Sequence, residues 1–200
     1  GNSMTEALAQ QRIRELEETV TELSRKLEER RKELRCVHQM AEIVEPPGFT
    51  LDDIIQAIVE ILPPAFQYPE STAARAVVRG RHYASPAYAD TEWKLSMPLR
   101  VSGHNTGRIE VCYLQPHPEG DHGPFLREET ALLDIVTERL GRIIERMRSA
   151  QALRESEEKH RILLDAIPAG VAIVDRTARE IIDLNPAASR MLGLPRDRVA

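Results

Sequence analysis

Apolar residues recur at every seventh position, Ile13, Val20, Leu27, Leu34 and Ala41, and a second series follows three residues later at Leu16, Leu23, Val37 and Val44. No Gly or Pro lies between Thr5 and Val44. These are the a and d positions of more than four heptads, so residues 5–45 are predicted to form a coiled-coil helix. β-Branched Ile13 and Val20 at a, with Leu at d, favour two parallel strands. Arg30 occupies one d position. It reads as a snorkelling side chain at a loosened layer or, more sharply, as a built-in weak point of the helix. In a parallel pair Arg12 at g faces Glu17 at e of the other chain favourably, whereas Lys26 faces Arg31 unfavourably. Exposed pairs of this kind contribute about 0.3–0.5 kcal/mol each, enough to tune register but not to drive association.

Pro46, Pro47 and Gly48 are predicted to end this helix. Thr50 is a favourable N-cap for a second helix from Leu51 to Leu62, with Asp52 and Asp53 at its positive end. Pro63 and Pro64 stop it. The period then changes to two. Ala74, Ala76 and Val78 alternate with Arg75, Val77 and Arg79 as a half-buried strand, Gly80 turns the chain, and Arg81–Ser85 returns as a second strand. Trp93–Val101 and Arg108–Leu114 read as an antiparallel hairpin across the turn residues Ser102–Gly107. Pro116–Pro124 is a loop by composition.

From Phe125 to about Ile167 Pro is again absent, and Leu133, Val136, Leu140, Ile143, Met147 and Ala150 keep heptad steps. Leu153 arrives three residues after Ala150 where four were due, and His160, Leu164 and Ile167 resume in a shifted phase, a skip that overwinds a coiled coil locally. The predicted dimer seam is therefore Ile13, Leu16, Val20, Leu23, Leu27, Leu34 and Val37, then Val136, Leu140, Ile143, Met147 and Leu153. Gly141 inside this helix costs about 1 kcal/mol relative to Ala, which close packing against a neighbouring helix or the sheet would explain. After Pro168 and Gly170, Val171–Val174 is predicted as a buried strand, Asp175–Arg179 as a turn and Glu180–Leu184 as a second strand. Asn185 then caps a helix with Pro186 at its first position, and Gly193, Leu194 and Pro195 close it.

Charge and composition narrow the function. Among 200 residues, 27 Lys and Arg face 32 Asp and Glu, for a net charge of −5, with 30% charged and 4% aromatic residues. There is neither the basic footprint of a duplex binder nor the stacking aromatics of a single-strand binder, so no nucleic-acid partner is expected. Two Cys far apart give no disulfide framework or zinc spacing and point to a reducing compartment, the cytoplasm. No apolar run reaches the roughly 18 residues of a membrane span, and no secretory pattern opens the chain. Gly1, Asn2 and Ser3 ahead of Met4 read as an expression scar, and the chain as a piece of a longer protein.

No glycine-rich phosphate loop, H-E-x-x-H or nucleophile elbow is present, so no catalytic or metal residue is assigned and no enzyme is expected of this region. His160 follows Glu157 and Glu158 as a phosphoacceptor would, but it stands at a seam position. His82, His104, His117 and His122 lack metal spacing and read as solvated. Tyr83, Trp93 and Cys112 are the candidate pocket residues, although core packing explains each of them simply.

Residues 155–200 resemble the first part of a PAS domain. Ser156–Leu164 is similar to the PAS entry helix, Ile167–Asp175 to the first strand, and Asp183-Leu184-Asn185-Pro186-Ala187 to the second strand running into an Asn-Pro-Ala helix start. Leu192-Gly193-Leu194 is similar to the turn that follows. The later pocket helices and long strands of a PAS domain have no counterpart here, so no PAS cofactor is assigned. Residues 34–146 resemble a short GAF-type domain: entry helix, second helix, small antiparallel sheet, then the exit segments Phe125–Glu129 and Leu140–Arg146. The stretch between its strands is short for the usual pocket lid, and no Asn-Lys-x-Asp pattern of cyclic-nucleotide binding occurs.

These resemblances imply an α+β fold: a GAF-like antiparallel sheet with packed helices, flanked by long parallel coiled-coil helices (5–45, and an exit helix over 133–167), plus a truncated PAS start. Such modules belong to bacterial sensor histidine kinases and diguanylate cyclases. The expected function is signal relay in a cytoplasmic homodimer, through rotation, tilt or register change of the exit helix, to an output domain elsewhere in the parent chain. No cofactor is expected. The alternative is a chemosensor whose GAF pocket binds a small molecule or cofactor.

Overall fold

The structure is a computed structural model that describes residues 2–44 and 48–194. Pro46, Pro47 and Pro195 lie outside the described residues. The chain divides into two compact units, Gly1–Glu145 and Arg146–Ala200.

The first unit is a mixed α+β domain. Helix α1 (Asn2–Val44) follows from the Gly- and Pro-free heptad region. Helix α2 (Leu51–Ile61) begins at Thr50 with a complete capping box: the Thr50 hydroxyl accepts from Asp53 N, and the Asp53 carboxylate accepts from Thr50 N at 2.9 Å. Its apolar face, Ile54, Ile55, Ile58 and Val59, is buried. Two 3-10 turns, Pro63–Ala65 and Pro69–Ser71, lead into strand β1 (Thr72–Val78). β2 (Arg81–Ala84), β3 (Lys94–Val101) and β4 (His104–Tyr113) complete an antiparallel sheet of order β2-β1-β4-β3. Helix α3 (Arg127–Ala166) follows.

The sheet departs from the sequence reading in two ways. First, β4 starts at His104, four residues earlier than Arg108. Arg79-Gly80 and Ser102-Gly103 all have positive φ, so each hairpin turns on two residues, and Asn105 and Gly107 extend β4 rather than loop out. Gly107 suits that strand because a Cβ there would overlap the carbonyl oxygen of Val77. Second, β1 is buried along both faces, apart from half-buried Arg75. Ala74, Ala76, Ile109 and Val111 face the core on the inner side, in the register Ala74↔Val111 and Ala76↔Ile109. The outer side is covered by the segment 85–93, as described below. α2 packs on β1 and β2, and α1 packs on α2 and the first 3-10 turn. Pro98 sits in β3, an edge strand, where a missing N–H breaks no ladder bond inside the sheet.

The second unit contains the C-terminal part of α3, an antiparallel pair β5 (Ala172–Asp175) and β6 (Glu180–Leu184), and helix α4 (Pro186–Leu192). Asp175 shapes the β5–β6 turn by accepting from Thr177 N and Ala178 N at 2.7 and 3.0 Å. The expectation of a buried strand at Val171–Val174 does not hold: Val171 is half-buried, Ala172 is exposed, and Ile173 and Val174 are 44% and 51% exposed. Two strands offer too little sheet to cover a face.

Candidate functional site

The predicted seam splits into residues that the single chain leaves open and residues that it uses itself. On α1, Ile13, Leu16, Val20, Leu23, Leu27 and Leu34 are all 51–69% exposed. Val37 is half-buried, and its neighbours Cys36 and Met40 are buried in the domain core. α1 therefore carries two stripes, an open heptad seam and, toward its C-terminus, a core-facing stripe.

On α3 the heptad reading needs correction. Val136 and Leu140 are fully buried with Leu132, Leu133 and Ile144, so they belong to the domain core and are not available to a partner. The heptad series runs along the edge of the stripe that covers the domain core, and Leu153, nine residues after Ile144, lies on the opposite side of the helix. Ile143 and Met147 are half-buried and Leu153 is 60% exposed. Where this helix meets the sheet, Gly141 fits the expectation of close packing: a Cβ there would overlap the carbonyl oxygen of Arg100 on β3. A groove of about 460 Å³ opens beside this contact, lined by Met97, Pro98, Arg100, Asp134, Glu138 and Arg142 among others. Ser102 in the β3–β4 turn donates to the Glu145 carboxylate at 2.8 Å, a second tie between sheet and helix.

On the outer side of the sheet the Glu110 carboxylate, 3% exposed, accepts from Arg75 Nε and Nη2 at 2.8 and 2.6 Å and from Arg108 Nε at 2.8 Å. The Tyr88 hydroxyl donates to it at 3.3 Å, and the Arg75 guanidinium lies 4.6 Å from the centre of the Tyr88 ring. Burial pushes the Glu110 carboxyl up, but the Arg108 and Arg75 hydrogen bonds outweigh it and hold the group below its ordinary range. The segment 85–93 is tied over this face. Ser85 exchanges bonds with Ala74, its Oγ accepting from Ala74 N at 3.0 Å and its N donating to Ala74 O at 2.9 Å. The Cys112 thiol donates to Ala89 O at 3.2 Å, and Thr91 Oγ1 donates to Tyr113 O at 2.9 Å. Side chains and this strap thus cover the outer face over β1 and its pairing with β4, while Lys94, Ser96 and Pro98 of β3 stay exposed.

The three candidate pocket residues do not converge. Tyr83 pairs with Ala76 and Cys112 with Ala73, so they project to opposite faces of the sheet. Tyr83 donates its hydroxyl to Asp52 on α2 at 2.5 Å, and burial together with that bond pushes its pKa up to about 12. Cys112 is a free, buried thiol whose pKa burial raises. Trp93 is half-buried and lends its carbonyl to Tyr113 N at 3.0 Å.

Sequence reasoning missed a polar node at the start of α3. Glu129, 2% exposed, accepts from Gln67 N at 2.6 Å, Tyr113 Oη at 2.8 Å and Leu126 N at 2.8 Å. Tyr113 stacks on Phe125, and Tyr68 stacks on His117 with centroids 3.8 Å apart. His117 is accordingly half-buried and hydrogen-bonded to Ser71 Oγ at 2.6 Å, not solvated as expected. Glu129 is committed to Tyr113 and two backbone amides, and the Ser71–His117 bond with the ring stacking holds the 115–125 loop against the core. Among the described residues no group of His, Cys, Asp and Glu is placed to hold a metal ion, and no helix is long and apolar enough to cross a membrane.

In the second unit Asn185 is 3% exposed and spends its whole side chain on backbone. Its Oδ1 accepts from Val171 N at 2.9 Å and Ala188 N at 2.8 Å. Its Nδ2 lies within donating distance of the carbonyls of Leu164, Ile167 and Ala169, at 3.1, 3.3 and 2.9 Å. One residue thus joins the last turn of α3, the entry to β5 and the start of α4.

Residues 158–200 match the PAS domain family. The match covers the end of α3, the β5–β6 pair, the Asn185 cap and α4, and it supports a sensory signalling role for the chain. No curated protein matches the chain. Of the residues that sequence reasoning did not single out, Glu110 had a visible signal. A charged residue between Ile109 and Val111 pairs across the ladder with Arg75 on β1. Glu129 offered only a local signal, an acid in the first turn of α3 that accepts from Leu126 N, while its partners Gln67 and Tyr113 are far away in sequence.

Proposed function

We propose that this chain is a relay region of a dimeric signal-transduction protein, with a GAF-like first unit followed by the beginning of a PAS domain. The observation that carries this reading is the open apolar face of α3 beyond the first domain. The stripe that faces the core ends at Ile144, half a turn away from Leu153, and after the skip Leu153, Ile162 and Leu163 are 56–60% exposed, the last two in the PAS-matched segment, where Asn185 holds the last turn of the helix. A second copy covering this face and the α1 seam forms a parallel homodimer. A rotation, tilt or register shift of α3 then reaches the PAS strands through Asn185. The skip between Ala150 and Leu153 is the place where two packings differ by little energy, as a switch requires. The chain itself performs no chemistry in this reading. The output domain, of histidine kinase or diguanylate cyclase type, lies elsewhere in the parent protein, which works in the cytoplasm.

The covered part of the outer face, over β1 and β4, favours relay over a chemosensor, since Arg75, Glu110 and Tyr88 occupy the space that a ligand under the strap would need. Inserting one to seven residues between Ala150 and Leu153 of the full-length protein tests the relay. Output should vary with helix phase and return toward its starting level at seven residues. Equal output at every insertion overturns it.

A further inference from the structure

Building on the dimer reading, we propose that Arg30 ends the N-terminal coiled coil: two α1 helices zip from Ile13 to Leu27 and part at Arg30. Five successive a and d layers, Ile13, Leu16, Val20, Leu23 and Leu27, are open in the single chain. The occupant they fit is a second copy, because an identical heptad meets itself in register and Arg12 then faces Glu17.

The next d position breaks the series. The Arg30 guanidinium turns back to Glu33 at 2.9 Å, with its side chain 73% exposed and that of Glu33 only 17%. A seam continued through this layer would set Arg30 against its own equivalent with Arg31 at the adjoining e position, and it would crowd the Arg30–Glu33 pair.

Beyond Arg30 the d side is already in use. Val37 and Val44 are half-buried, and Cys36 and Met40 are 1% exposed in the domain core. Only the a series remains open there, at Leu34 and Ala41. One helix face cannot serve its own core and a partner's seam together, so each α1 changes partners at Arg30. Ile13 to Leu27 spans about 21 Å of helix, roughly two heptads, which makes a weak and reversible zipper.

Disulfide trapping in the full chain tests this. Single substitutions Val20→Cys and Leu34→Cys are compared under mild oxidation, with and without Arg30→Leu. Cys36 and Cys112 are buried and stay out of the reaction. Val20→Cys should cross-link between chains at least about tenfold faster than Leu34→Cys, a difference of about 1.4 kcal/mol in layer contact. Arg30→Leu should bring Leu34→Cys to within a few-fold of Val20→Cys, and an exposed Arg leaves the fold intact when replaced. Equal trapping at both positions with Arg30 present overturns the inference but leaves the dimer standing. An unchanged Leu34→Cys rate in the Arg30→Leu chain overturns the role of Arg30. No trapping at Val20→Cys overturns the dimer reading itself.

Discussion

Replacing Gly141 with Ala sets two effects against each other at the point where α3 meets the sheet. Ala favours a helix interior over Gly by about 1 kcal/mol, so propensity alone predicts stabilisation. The new Cβ, however, overlaps the Arg100 carbonyl oxygen, a backbone atom of β3 that cannot rotate away. Relief requires lifting α3 from β3 across Leu99, Val136, Leu140 and Ile144, all fully buried. The same shift stretches the Ser102–Glu145 bond. Overpacking of this kind costs about 1–3 kcal/mol, which leaves a net loss of about 1–2 kcal/mol once the propensity gain is set against its upper range. At about 2–4 °C per kcal/mol for a chain of this size, Tm should fall by about 2–8 °C. Urea melts followed by far-UV circular dichroism measure the change. Ser149→Ala, exposed on the same helix, controls for propensity and should be neutral or slightly stabilising. A Gly141→Ala chain more stable than the parent by about 1 kcal/mol would refute the close seating of α3 on β3.

Other residues make separate predictions. Glu110→Gln leaves the Arg75 and Arg108 guanidinium groups with a weaker acceptor and should cost about 2–4 kcal/mol, read from the urea midpoint near neutral pH. Because the Glu110 carboxyl is held below its ordinary value of 4.5, its contribution is complete above that pH and fades as pH falls through the lower folded value. The acid-induced loss of stability should therefore be shallower in Glu110→Gln than in the parent, and parallel acid titrations would contradict this. Asn185→Ala removes the links among α3, β5 and α4, leaving buried groups short of partners at about 1–3 kcal/mol each. Faster hydrogen exchange at Val171 and Ala188, with the first unit unchanged, is the expected result, and Asn185→Asp should keep both of those amides bonded. Burial, partly offset by Arg35, pushes the Cys36 thiol up to about 11, and burial also raises Cys112. Both thiols should resist a disulfide reagent at neutral pH until the chain unfolds, whereas rapid labelling of the folded chain would show that these sites are open.

Much of the fold can be read locally. Thr50, Asn185-Pro186 and Gly193 mark helix ends by cap chemistry, and all three stand where that chemistry places them. Gly141 announces a close approach, and the structure supplies the Arg100 carbonyl. What a heptad pattern cannot tell is which apolar surface will cover it. Val136 and Leu140 obey the same period as Ile143 and Met147, yet the first pair is fully buried in its own domain core and the second is half-buried. Alternation within a strand likewise fixes which residues share a face but not whether that face is covered. The outer side of β1 is closed by a strap that no periodicity announces, and β5 stays open for want of neighbours. The Glu129 node depends on contacts over 16 and 62 residues of sequence, to Tyr113 and Gln67, and no local pattern encodes those.

The mass of the chain in solution tests the central claim most directly. Light scattering over a dilution series should give twice the 22.6 kDa chain mass at high concentration, falling toward 22.6 kDa on dilution. Polar substitution of Leu23 and Leu27 should move that transition to higher concentration. A mass of 22.6 kDa at every concentration would contradict the account.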